Sequence, residues 1–107
     1  MSVAVGKLRH RVDIEQPSSE RDAQGGSVDT WQLVRSVWAK VEPLSGREFW
    51  AAQEQNSQVT HRVTVRYQDG ISTKMRLHFR GRVLHIDSII DLLEAQDQMQ
   101  LLCVEVV

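Results

Sequence analysis

Several features that define particular classes of protein are scarce in this sequence. A single cysteine, Cys103, excludes an internal disulfide and a thiolate metal cluster, and its apolar surroundings "LLCVEVV" favour a buried, inert thiol. There is no run of about 18 apolar residues, and the N-terminal residues lack the apolar core of a signal peptide. The net charge is only -1 at pH 7. We expect a protein made in the cytosol that has no membrane partner.

Residues arranged for catalysis or for cofactor binding are equally scarce. No glycine-rich phosphate loop follows a strand, and Ser45 has no evident histidine and acid partners in the sequence. Glu48 and Glu54 are too far apart to share one helix face as paired carboxylates do. His78 and His85 would need a further ligand to hold a metal stably. We therefore predict that the chain is not an enzyme and that it has neither a cofactor nor a metal site.

The length and the charge distribution set limits on the architecture. The chain of 107 residues, of which 41% are hydrophobic, can supply one modest core, so we predict a single domain over residues 1–107. Residues 58–85 carry six basic groups and one acidic group, whereas residues 86–107 carry five acidic groups and no Lys or Arg. Segments of opposite sign can neutralise each other within the fold, or between copies joined head to tail.

Alternation of apolar and polar residues predicts six or seven strands. The first strand ends at Pro17, and a polar loop over residues 17–27 turns back at Gly25 and Gly26. Trp31 and Leu33 lead a second strand, and residues 37–41 form a third that ends before the next proline. Later strands are predicted in the segments 58–67, 75–80, 83–90 and 99–107. His10 and His61 fall on the apolar faces of their strands, at the edge of the core.

The segment "MRLHFRGRVLHIDSII" predicts a β-hairpin. A type II′ turn at Gly81 and Arg82 would place glycine at its first central position. This register pairs Arg80 with Val83, His78 with His85, and Arg76 with Asp87. The residues left on the core face are Leu77, Phe79, Leu84 and Ile86.

One helix is predicted between the third and fourth strands. Ser45 and Glu48 have the spacing of a capping box, in which the serine hydroxyl and the glutamate carboxylate satisfy free backbone amides. A helix over about residues 46–55 follows, with Phe49 and Trp50 as an apolar anchor at one end. The predicted fold is therefore mainly β, a small antiparallel β-barrel or sandwich of six to seven strands with one short helix inserted after the third strand.

Five arginines are predicted to project from the polar strand faces or from the hairpin turn. Such a surface could hold nucleic acid as an OB-fold does, or it could be a solvated or subunit-contacting sheet surface. Only Tyr67 lies near them in sequence, and it falls on the other face, so the aromatic platform for base stacking is missing. The five residues are Arg62, Arg66, Arg76, Arg80 and Arg82.

Several segments, taken in order, resemble the phage head-tail joining proteins, also called head-tail adaptor, stopper or head completion proteins. The resemblance covers nearly the whole chain, although "LLEAQDQMQ" is more acidic than the family pattern. It rests on "GKLRHRVDIEQ", "VWAKVEPLSGREFWAAQ", "THRVTVRYQDGI", "MRL", "GRVLHIDSIID" and "LLCVE".

This resemblance implies a small β-barrel that assembles as a ring under the portal of a tailed phage or prophage. Its partners would be further copies of itself, the portal or an adaptor protein, a tail protein, and genome DNA that passes through the channel without sequence-specific binding. The location would be the head-tail interface of the virion, after a cytoplasmic stage in the host. The segment implied to line the channel or to contact the next subunit contains Ser45, Arg47, Glu48, Phe49, Trp50, Gln53 and Glu54.

Two functions from different classes follow from these observations. The favoured hypothesis is a structural connector that continues or closes the DNA channel between portal and tail. The complementary charges of residues 58–85 and 86–107 would suit a ring, in which one surface meets a different surface of the next copy. The alternative is a small OB-like nucleic-acid-binding module that uses the arginine surface.

Overall fold

The chain forms a closed antiparallel β-barrel with one external helix. A computed structural model describes residues 8–21, 27–55, 57–91 and 97–106. The strand order around the barrel is β1-β2-β3-β6-β5-β4, and β4 closes the sheet by pairing with β1. The elements are β1 (His10–Arg21), β2 (Ser27–Pro43), α1 (Gly46–Glu54), β3 (His61–Arg66), β4 (Arg76–Phe79), β5 (Arg82–Asp91) and β6 (Gln98–Val106). The prediction of a mainly β barrel with one short helix is confirmed.

Alternate residues of the strands fill the barrel interior. Leu77 and Leu84 face each other across the β4–β5 pair, and both are completely buried. The predicted core face of this hairpin is confirmed, because Phe79 and Ile86 are buried as well. Each side chain of this size stabilises the fold by about 1.5–3 kcal/mol through burial alone. No helix in the described part of the chain is long and apolar enough to cross a membrane.

The second and third predicted strands are one continuous strand, so α1 follows the second strand and not the third. A shift of register between Ile14 and Glu15 explains the error, since Ile14 pairs with Arg35 and Glu15 pairs with Leu33. Because of the bulge, Leu33 is exposed whereas Val37 and Ala39, which are also at odd positions, face the core. The interrupted alternation therefore looked like two strands, although the backbone pairing continues across it.

The prediction that the first strand ends at Pro17 is also wrong. β1 continues to Arg21, and Pro17 pairs with Trp31 in a ribbon that extends beyond the barrel. Pairing between β1 and β4 stops at Glu15, so this stretch of β1 lies at a sheet edge, where a missing amide hydrogen is tolerated. Residues 17–21 and residue 27 are thus strand rather than loop. The predicted turn at Gly25 and Gly26 lies outside the described residues.

The β4–β5 hairpin forms, but its predicted register is wrong by two residues. The turn residues are Arg80 and Gly81, both with positive φ (51° and 76°), as a type I′ turn requires. Phe79 consequently pairs with Arg82, and His78 pairs with Val83 instead of His85. A shift of two residues leaves every side chain on its predicted face, which is why the core assignment survives.

Candidate functional site

The helix α1 begins at the predicted capping box. Ser45 is the N-cap, and its hydroxyl accepts a hydrogen bond from the Glu48 amide at 3.3 Å. The same hydroxyl donates to the Glu48 carboxylate at 2.9 Å. Because Ser45 and Arg62 both donate hydrogen bonds to this carboxylate, the pKa of Glu48 is lowered. The start of the helix is therefore specified by local contacts that the sequence already showed.

Beyond its cap, α1 has little contact with the barrel. None of its residues is buried, and the Trp50 side chain is 67% exposed. Phe49 is half-buried and its ring meets that of Trp50 edge to face, with 5.9 Å between centroids. The Glu48 carboxylate also lies 2.6 Å from an Arg62 guanidinium nitrogen, which joins the helix to β3. The helix is thus connected to the barrel mainly by an ion pair and its short connections.

A groove of about 370 Å³ separates α1 from the barrel wall. Leu44 and Ala52 line the helix side, and Ile90 and Leu102 line the barrel side. Ile90 is 42% exposed, so the groove is open to solvent and contains apolar surface. Since both walls contain apolar side chains, a modest inward movement of α1 would bury more apolar surface than the helix buries now.

The residues of the predicted channel or subunit-contact segment fall on one short element. Ser45 and Glu48 are occupied by capping and by the contact with Arg62. Arg47, Gln53 and Glu54 are exposed on the helix surface. The segment is therefore presented outward by the barrel, and its role as a contact surface remains a prediction.

The predicted arginine surface is largely neutralised within the chain. Arg62 pairs with both Glu42 and Glu48, and Arg76 pairs with Glu15 at 2.8 Å. Ion-paired guanidinium groups on a surface with this many carboxylates are poorly placed to contact phosphates. This arrangement weakens the nucleic-acid alternative.

The other three arginines of this surface differ in their partners. Arg82 makes two hydrogen bonds to Glu105, at 2.6 Å and 3.0 Å, so the basic and acidic segments neutralise each other partly inside one chain. The Arg80 guanidinium lies 5.0 Å from the Phe79 ring centroid. Arg66 is exposed and has no ion pair among the described residues.

An aromatic neighbour of the arginines was missed from the sequence. The Arg76 guanidinium lies 4.1 Å from the Trp31 ring centroid, and the Trp31 ring also meets His85 at 5.9 Å. The two strands that carry Trp31 and Arg76 are both neighbours of β1, a relation that no local pattern reveals. His85 lies opposite Arg76 and not opposite His78. Among the described residues, no group of three His, Cys, Asp or Glu side chains could hold a metal ion.

His61 lies in a polar network at the edge of the core, as predicted from its face. Its Nδ1 is 2.8 Å from the Thr60 hydroxyl, and its Nε2 is 3.0 Å from Arg82. The Arg82 guanidinium can only donate, so Nε2 must accept and Nδ1 must carry the hydrogen. Burial, together with the charge of Arg82, lowers the pKa of His61.

Cys103 lies on β6, where it pairs with His61 of β3, and its side chain is completely buried. Burial raises the pKa of its thiol to about 12. A thiol with so high a pKa is protonated at neutral pH and is a poor nucleophile, so the expectation of a buried thiol is confirmed.

The fold and these surfaces define a class, that of small structural β-barrel proteins that carry an external helix. A family model for the phage head completion protein matches residues 3–106, so the chain belongs to the phage head completion protein family. It is accordingly a structural protein of the phage head-tail region.

Two curated proteins and two solved structures are similar to the chain. Head completion protein gp7 of Enterobacteria phage HK97 is 33% identical over 86 residues, which cover 76% of this chain and 77% of gp7. Head completion protein gp16 of Bacillus phage SPP1 is 28% identical over 65 residues, 61% of this chain and 60% of gp16.

The structural matches cover almost the whole chain. The solution structure of protein SF1141 from Shigella flexneri 2a superposes with a TM-score of 0.77 and 28% identity, covering 96% of each chain. A chain from the virion of a native gene transfer agent particle superposes with a TM-score of 0.61 and 19% identity, covering 94% of this chain and 96% of that one. At 19% identity, this second match shows a shared fold alone.

Proposed function

We propose that the chain forms a ring between the portal and the tail and that this ring continues or closes the DNA channel. The observation that carries the proposal is the match to the phage head completion protein family over residues 3–106, which span the whole barrel. The portal or an adaptor protein on one side and a tail protein on the other are the proposed partners, with the genome DNA passing through the centre.

The surface of the barrel supports a passive conduit. Arg62, Arg76 and Arg82 are engaged by carboxylates of the same chain, so they are not available as a ladder of phosphate contacts. A strongly basic lumen would hold DNA by counterion release and oppose its sliding. A wall on which these three arginines are neutralised is compatible with DNA passage.

The segment from Ser45 to Glu54 is proposed to contact the next subunit or to face the channel. Its support is the exposed Trp50 in the middle of a helix that buries none of its own residues. A large exposed indole beside a half-buried phenylalanine is the kind of anchor that dominates protein interfaces. The groove behind α1 leaves room for the helix to adjust when a neighbour binds.

The test uses DNA-filled heads, from the phage or prophage that encodes the chain, prepared without this protein. Added wild-type chain is expected to produce ring density at the portal vertex by electron microscopy and to protect the packaged DNA from nuclease. A Trp50→Ala chain is expected to lose at least about tenfold in protection, as loss of an interface hot spot does.

Leu33→Ala is the matched control, because Leu33 is also a large exposed apolar side chain (58%) but lies on the β1–β2 ribbon. Full protection of the packaged DNA by the Trp50→Ala chain would show that α1 is not part of the interface. Heads that retain DNA without any added ring density would overturn the connector itself.

The nucleic-acid alternative has one structural observation in its favour, the Arg76–Trp31 contact at 4.1 Å. The same arginine is held by Glu15, however. Tight, salt-dependent binding of the isolated chain to short duplex DNA would favour this alternative over the connector.

A further inference from the structure

Three arginines that lack ion pairs gather at one place on the barrel, apart from the ion-paired Arg62, Arg76 and Arg82. Arg11, Arg35 and Arg66 come from β1, β2 and β3, and none has an ion pair among the described residues. We call this surface, together with Trp38 and Gln68, the arginine–tryptophan patch. Arg11 pairs with Trp38 across the β1–β2 ladder, and its guanidinium lies 5.2 Å from the indole centroid.

Gln68 joins the remaining arginine to the patch. The Arg35 guanidinium donates to the Gln68 side-chain oxygen at 3.1 Å. Arg66 lies two residues before Gln68, and both line the same pocket. The Asp13 carboxylate contacts the lining, because it accepts a hydrogen bond from the Ser36 hydroxyl at 2.5 Å. Three arginines without an ion pair among the described residues therefore share this surface, in contrast to the paired arginines elsewhere on the barrel.

The pocket at the centre of the patch has an apolar floor. Its volume is about 230 Å³, and Leu8, Val37 and Trp38 supply apolar surface, while Arg11 and Arg66 stand at its rim. Sites for small molecules usually measure about 300–1,000 Å³, so this pocket is better suited to one large side chain. An apolar cavity with a cationic rim is complementary to an apolar side chain flanked by carboxylates.

We propose that the arginine–tryptophan patch binds an acidic segment of a partner protein, with one apolar side chain of that segment seated in the pocket. The partner is a protein segment rather than nucleic acid because Arg11 already lies against the Trp38 ring, so the indole is not a free platform for a base. A concave pocket also selects a protruding side chain, which a duplex backbone does not offer. This inference deepens the proposed connector function, on which it rests, by naming the chemistry of a partner surface.

The test titrates the intact isolated chain with capped pentapeptides and follows backbone and indole signals by NMR. The peptide EDFED carries both the charge and the apolar side chain, EDSED lacks the apolar side chain, and QNFQN lacks the charge. EDFED is expected to shift the Trp38 indole and Arg66 amide signals, and to bind at least about fivefold more tightly than either other peptide. Raising the salt concentration from about 0.05 M to 0.3 M should weaken its binding.

Arg66→Gln is the informative variant because this side chain is exposed and its removal should not disturb the fold. It is expected to weaken EDFED binding at least about threefold, as is Arg11→Gln. Lys74→Gln, which removes an exposed positive charge outside the patch, should bind like the wild type.

Failure of EDFED to bind would overturn the proposal, as would equal binding by the Arg66→Gln and wild-type chains. Patch-dependent binding of a short duplex DNA that is tighter than that of EDFED would overturn it in favour of nucleic acid. Because the peptides are added to the isolated chain, these outcomes are separate from success or failure of the head assay.

Discussion

At the scale of single residues, His61 shows how a polar group is accommodated at the edge of the core. Its exposed fraction is only 7%, and both ring nitrogens have partners in Thr60 and Arg82. The Thr60 hydroxyl also accepts a hydrogen bond from the Glu105 amide at 2.9 Å. Protonation of Nε2 would turn it into a hydrogen-bond donor that faces the Arg82 N–H, which is itself a donor. The neutral imidazole is therefore the form that fits this network.

We expect the free energy of unfolding to fall as the pH is lowered from about 6.5, the ordinary pKa of histidine. The pKa of His61 is lowered in the folded chain, so below this pH the unfolded chain binds more protons than the folded one. The loss is at most about 1.4 kcal/mol per pH unit for one such group, and it ends once the pH passes the folded pKa. The nearby charges are those of Arg82 and Glu105, and the Glu105 carboxylate opposes the shift only in part.

Urea unfolding at several pH values between about 5 and 7.5 measures this effect. A His61→Gln chain should have a smaller slope of unfolding free energy against pH than the wild type. His78→Gln serves as the matched control, because it removes a histidine outside this network. An unchanged slope in His61→Gln would show that other groups cause the pH dependence.

At the scale of elements, α1 differs from all six strands in how little of it is packed. Isolated helices of nine residues are marginal in water, and this one has no buried residue to compensate. It is stabilised mainly by the Glu48–Arg62 ion pair and by the Ser45 cap. The element proposed to contact partners is thus the one with the lowest local stability.

We predict that backbone amides of residues 45–58 exchange with deuterium faster than those of β3, β5 and β6 in the isolated chain. Glu48→Gln removes both the charge of the capping carboxylate and the ion pair, so it should accelerate exchange in α1 further. It should leave the global free energy of unfolding nearly unchanged, because the barrel does not depend on the helix.

Glu54→Gln is the control for this experiment. Glu54 lies on the same helix and is exposed, so its replacement should leave exchange in α1 nearly unchanged. Strong protection of residues 45–58 in the wild-type chain would mean that the segment is part of the stable core.

At the scale of the whole molecule, closure of the barrel makes every strand depend on two neighbours. The ring of pairings runs through β4, which joins β1 to β5, although β4 has only four residues. Closed sheets have no free edges along their paired length, so partial unfolding exposes unpaired backbone in several strands at once. We therefore expect the strands of the barrel to unfold together.

We expect unfolding in urea to be a single transition, identical by tryptophan fluorescence and by far-ultraviolet circular dichroism. Leu101→Ala, at a fully buried position of β6, should lower the free energy of unfolding by about 2–5 kcal/mol and shift both signals together. Leu33→Ala, at an exposed position, should change it by less than about 0.5 kcal/mol. Two separated transitions would contradict the single-domain prediction.

The sequence by itself determined the features that depend on near neighbours in the chain. The Ser45–Glu48 cap, the β4–β5 hairpin and its core face follow from spacings of two to four residues, and local sterics and burial enforce such spacings. The buried state of Cys103 also followed from its apolar neighbours. The family resemblance rested on the order of these same local segments, and the family match confirms it.

Only the tertiary structure decided the features that join distant strands. Three of these features depend on which strand edges are paired, and the alternation of apolar and polar residues does not encode the pairing. They are the bulge beside Glu15, the hairpin register at Arg80 and the continuation of β1 through Pro17. Whether an arginine is free or neutralised depends likewise on carboxylates far along the chain. Arg82 pairs with Glu105 on β6, whereas Arg66 has no ion pair in the described part of the chain, so the charge pattern alone does not show which arginines are neutralised.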